Sequence, residues 1–237
     1  MALIFRIVLG IHIIAGAAAL LVFWIPLVTK KGGRAHRRAG WAYVSAAAIV
    51  ALTGIASAVR FIVFDPRPRA WRAGVFLVYV GLFAAESALL GARVLRPWTR
   101  ASSVQSAVAL VPSLLLIAGG VALGAFGVWQ SRLLFVLFAA LGVGQGALHA
   151  RSWLTQRKSR EDRLLAHLSA MGTSCITTLT AFVVVNAPRL GLRRFDPRLW
   201  FVPIVVLGLG LTIARRHYAK RFAQRGAPPK PIDRAIR

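Results

Sequence analysis

Seven apolar runs limit what this chain can become. They cover residues 2–28, 41–64, 71–95, 104–127, 129–151, 164–187 and 199–214. About 20 helical residues cross the hydrocarbon of a bilayer, and six of the seven runs reach or exceed that length. The last is shorter and contains Pro203. The runs are too long and too unalternating for barrel strands. The expected fold is therefore all-α, a polytopic transmembrane helix bundle of about seven spans. Residues 1–214 form the bundle and 215–237 a basic cytosolic tail. The first run resembles a signal peptide in its early Arg6 and its small-residue patch. It continues to Val28 and ends in a basic block, so it reads as an uncleaved span.

Charge sets the expected orientation. The chain carries 31 Lys and Arg against 6 Asp and Glu. On a soluble protein such an excess points to nucleic acid. Here the basic residues occupy the gaps between apolar runs, so membrane topology and anionic headgroups explain them, and no nucleic-acid partner is expected. Residues 29–43 (T-K-K-G-G-R-A-H-R-R-A-G-W-A-Y) hold five cations: Lys30, Lys31, Arg34, Arg37 and Arg38. Three more lie in the third connection, five in the fifth and eight in the tail. Ten fall on the opposite side. Because cytosolic loops collect Lys and Arg, this bias predicts an N-out, C-in protein of the bacterial inner membrane. Its cytosolic face would meet anionic lipid. Trp41, Trp71, Trp129 and Trp200 stand at span ends, where indoles favour the headgroup level.

Few polar side chains fall inside the spans. Glu86 is the only acid well within one, so it should face the bundle interior and be paired or protonated. Gln145 and His149, four residues apart, share a helical face. His167, Met171, Ser174 and Thr178 form a stripe on the sixth span. A short basic connection predicts that the fifth and sixth spans are antiparallel neighbours, which would put His149 and His167 at matching depth. His36 lies on the same side, in the basic turn. His12 belongs to the outer half. Cys175 is the sole cysteine, so no intramolecular disulfide forms, and the lack of Cys-x-x-Cys excludes iron–sulfur and c-type haem sites.

Three segments carry a resemblance: H-I-I-A-G-A-A-A-L from His12, K-G-G-R-A-H-R-R-A-G-W-A-Y-V from Lys31, and A-H-L-S-A-M-G-T-S from Ala166. Together they resemble an uncharacterised bacterial multi-pass membrane-protein family, classed as a domain of unknown function. Its pattern has an early transmembrane His and a K-G-x-x-H-R-x-x-G-x-x-Y turn. The matching residues are His12, Gly16, Lys31, Gly32, His36, Arg37, Gly40, Tyr43, His167 and Met171, with one residue more than the pattern between Gly32 and His36. The resemblance implies a membrane fold and no particular activity. There is also a distant likeness to transmembrane b-type cytochromes, which implies haem ligation by helical histidines.

Three functions suit these residues. In the first, His36, His149 and His167 bind a cofactor near the cytosolic face for electron transfer. Haem b heads that list, because nearby arginines suit its propionates. Zinc is second, with the three histidines and Glu86 as ligands. The second is a small-molecule permease lined by Glu86, Gln145 and His12. The third is a non-catalytic, lipid-interacting scaffold. No P-loop, G-x-S-x-G or H-E-x-x-H motif is present, so nothing marks a nucleotide enzyme or hydrolase.

Overall fold

The computed structural model describes residues 2–95, 103–154, 159–193 and 196–226. They form eight α-helices: α1 (Ala2–Val22), α2 (Trp24–Val28), α3 (Arg34–Val63), α4 (Ala70–Arg93), α5 (Ser103–Trp129), α6 (Leu133–Leu154), α7 (Arg160–Asn186) and α8 (Pro197–Gly226). A 3₁₀ turn, Ala187–Leu190, leads towards α8. No strand occurs among the described residues. With α1 and α2 counted as one crossing, seven helical segments are long and apolar enough to span a membrane. The protein is a multi-pass membrane helix bundle.

Local chemistry explains how these elements differ from the sequence-based expectation. The first span is broken at Phe23. Pro26 has no N–H to give the carbonyl four residues back, at Val22, and α1 ends there. The basic turn is shorter than residues 29–43. Gly32 takes a left-handed φ of 77°, Gly33 caps α3, and the chain is helical from Arg34 onward. Lys31 Nζ donates to the carbonyls of Pro26 (2.8 Å) and Leu27 (2.7 Å), which have no partner within their own helix. The shortest run grows instead of failing. Starting at Pro197, α8 passes through Pro203 and continues to Gly226, so the first part of the basic tail is helix.

At the opposite end of the bundle, Asp65 receives hydrogen bonds from Arg67 Nε (2.9 Å) and Nη2 (2.6 Å). The guanidinium holds the Asp65 carboxyl down at about 2. This clamp shapes the link between α3 and α4.

Packing centres on α4. It is the most enclosed of the spans, and α8 is the least. α3, α5, α6 and α7 all pack against it. α5 and α6 form one tight hairpin, α1 lies on α3, and α8 lies on α7. α7 packs mainly against α8 and α4, so α4 takes the place that the expected fifth-to-sixth-span contact gave to α6. The core beside α4 is aromatic. Phe76 stacks on Phe135 with ring centroids 5.0 Å apart and meets Phe138 and Trp200 edge-on. Trp200 is therefore a core side chain and not an interfacial one, whereas Trp41, Trp71 and Trp129 remain exposed. The outward faces carry Ile, Leu and Val, as a lipid-facing surface should.

Candidate functional site

Glu86 lies on α4, two turns before the helix ends, and is only 3% exposed. An ionised carboxylate accepts hydrogen bonds and cannot donate them, and here three donors converge on it. Ser113 Oγ on α5 donates to Oε1 at 2.9 Å. Gln145 Nε2 on α6 donates to Oε2 at 3.0 Å. His149 Nδ1, one turn further along α6, is 2.5 Å from Oε1. Gln145 also donates to Ser87 Oγ at 2.8 Å, and Ser87 donates to the Phe83 carbonyl at 3.0 Å. Since the Ser87 proton is already committed, its oxygen accepts from Gln145, and this fixes which end of the amide faces Glu86. The shared face of Gln145 and His149 thus leads to Glu86, as their spacing implied. Ser113 and Ser87 escape a sequence reading, because a serine in an apolar helix ordinarily bonds its own preceding turn. Ser87 does so as well.

A second polar centre lies on another face of α4. His167 on α7 places Nδ1 2.7 Å from the Gly91 carbonyl. His36 on α3 places Nδ1 3.2 Å from the Pro26 carbonyl. The two imidazole centroids are 6.3 Å apart. A carbonyl only accepts, so each Nδ1 carries a proton, and Nε2 is the nitrogen that can present a lone pair. One turn beyond His167, the Met171 side chain fills the notch left by Gly91. Further along the stripe, Tyr43 Oη pairs with Ser174 Oγ (2.8 Å) and Thr178 Oγ1 (3.1 Å), tying α3 to α7.

The sequence-based site residues therefore divide. His36 and His167 meet. His149 and Gln145 turn to Glu86. His12 hydrogen-bonds Thr53 Oγ1 at 3.0 Å, with its ring against Gly54, apart from both centres. Among the described residues no three His, Cys, Asp or Glu side chains gather to hold a metal ion. The zinc set of His36, His149, His167 and Glu86 is two pairs and not one cluster.

Fold and site together define a multi-pass helical membrane protein with two polar centres on either side of its central helix. Compared with protein-family models, curated proteins and solved structures, the chain matches none.

Proposed function

We propose that this is an inner-membrane redox protein, oriented N-out and C-in, which holds haem b through His36 and His167. The 6.3 Å spacing of two imidazoles whose Nδ1 atoms are both engaged by carbonyls supports this reading most directly. A metal–imidazole bond of about 2 Å puts a ring centroid about 3 Å from the ion, so two rings sharing one ion lie about 6 Å apart. Ligating histidines usually spend their other nitrogen on a carbonyl or carboxylate, which fixes the tautomer and ring orientation. Two histidines would suffice to hold a haem iron. Zinc asks for three or four protein ligands. Arg34 and Arg37 flank His36 and suit the propionates, whereas so much positive charge disfavours a bare cation. Bound haem would supply one-electron transfer. The chain's own part is to orient the two imidazoles, and the Gly91 and Pro26 carbonyls do this.

Absorbance in the Soret region, measured on protein expressed with haem supplied, tests the proposal. His36→Ala and His167→Ala are each expected to abolish the band. His149→Ala and His12→Ala should leave most of it, because those rings serve Glu86 and Thr53. If the unmodified protein shows no haem absorbance, the redox reading fails and the permease or lipid-scaffold reading replaces it.

Orientation has its own test. On a Cys175→Ser background, cysteines at positions 34 and 196 should label from opposite sides of sealed cells. Position 34 should react only from the cytosol and position 196 only from outside. Labelling of both from one side would overturn the topology.

A further inference from the structure

We infer that Glu86 and His149 form a proton-binding site within the membrane, open only towards the end of the bundle that carries the basic turn. The inference is independent of the haem reading, since neither His36 nor His167 bonds to this pair.

A carboxylate in hydrocarbon is expensive, and a counter-charge or a proton relieves the cost. Ser113 and Gln145 are neutral donors and supply neither. His149 is the one hydrogen-bonding partner of Glu86 that can supply both. The geometry also gives the exchange a direction. His149 lies four residues beyond Gln145 on α6, about 6 Å nearer the basic end at the helical rise. Its side chain is 14% exposed, against 2% for that of Glu86. Nδ1 faces the carboxylate, so the second ring nitrogen is the one left for exchange with water at that end.

The charged and titratable groups on neighbouring helices divide accordingly. From α6 Glu86 faces His149, with Arg151 two residues further on. From α5 it faces the neutral Ser113. On α7, His167 is bonded to the Gly91 carbonyl, and on α3, His36 to the Pro26 carbonyl.

Towards the opposite end the way is blocked. Two turns back along α4, the Tyr79 ring fills a notch between Gly120 on α5 and Gly142 on α6, and its hydroxyl donates to the Leu116 carbonyl at 3.2 Å. Behind it stands the Phe76, Phe135, Phe138 and Trp200 cluster. The site is thus one-sided and is not a channel.

The step takes up one proton from the water at the open end. A hydronium ion gives its proton to Nε2 of neutral His149 and is left as water, and the Nδ1 proton passes to Glu86 Oε1. This leaves a neutral carboxylic acid and the other imidazole tautomer. Release runs in reverse, and one proton is exchanged in each direction.

Acid-minus-base infrared difference spectra of the purified protein test this. A protonated-carboxyl band of a buried acid, at higher wavenumber than those of the chain's five other Asp and Glu residues, is expected in the unmodified protein and should be missing in Glu86→Gln. In His149→Asn its rise after a pH jump should slow on the order of 100-fold, the scale of a positioned proton carrier. Nitrogen-15 spectra of labelled histidine in the unmodified protein guard against misfolded variants: His149 should exchange one neutral tautomer for the other together with the carboxyl band. In sealed proteoliposomes, the band should follow the pH on the side from which a cysteine at position 34 is labelled, whichever compartment that proves to be. A band that survives Glu86→Gln, ignores His149, or follows the pH on the other side would overturn the inference.

Discussion

Glu86→Leu is expected to lower the melting temperature of the solubilised protein on the order of 10 °C, and Glu86→Gln clearly less. Leucine fits the space but leaves Ser113 Oγ, Gln145 Nε2 and His149 Nδ1 pointing at carbon. Leaving a buried donor without its acceptor costs about 1–3 kcal/mol in soluble proteins. Hydrogen bonds within membranes average nearer 0.6 kcal/mol, since the unfolded helices also find partners in the bilayer, and three such losses still come to about 2 kcal/mol. Glutamine keeps one acceptor oxygen and the side-chain shape, so part of the network survives. Melting curves of the three proteins in one detergent decide the matter. Equal melting points for Leu and Gln would mean that the network contributes nothing beyond filling space.

Much of the architecture was legible in the sequence, because the bilayer imposes a length rule on every span. Glu86 identified itself as the lone acid inside an apolar run. The four-residue spacing of Gln145 and His149 correctly placed them on one face. What hydropathy could not convey was how each helix is turned. In a membrane both the lipid side and the packed side of a helix are apolar, so the periodic signal that orients a soluble helix is weak. The error at α7 follows from this. Short connections made α6 and α7 appear to be partners, yet α4 supplies the carbonyl of Gly91 to His167 and the carboxylate of Glu86 to His149. The three expected histidine ligands were thereby divided between two faces of one helix. Trp200 was misplaced for a related reason. Its position at a span end marked it as interfacial, but the stacked Phe76 and Phe135 rings that bury it come from helices far away in the chain.

The same division makes small residues decisive where α4 meets the α5–α6 hairpin. Gly142→Ala is expected to destabilise the protein by about 1–3 kcal/mol, the range for overpacking a filled core, while Gly144→Ala should be nearly neutral. A Cβ at position 142 would fall 1.7 Å from Tyr79 Oη and 2.6 Å from the adjoining ring carbon, closer than any real contact. Tyr79 cannot simply withdraw, because a Cβ built on Gly120 would lie only 2.6 Å from the same hydroxyl, and that hydroxyl is bonded to Leu116. Position 144 meets nothing within 4 Å. The cause can be isolated by shortening the opposing side chain. Tyr79→Leu leaves a void and should destabilise on its own, but combined with Gly142→Ala it should cost less than the two effects added. Strict additivity across the four proteins would place the damage elsewhere than the tyrosine. Gly142 also lies less than one turn before Gln145, so pushing α6 away from α4 draws Gln145 and His149 off Glu86. The carboxyl band should therefore change in Gly142→Ala and recover in the double variant, linking the packing of a glycine notch to the protonation of the buried Glu86.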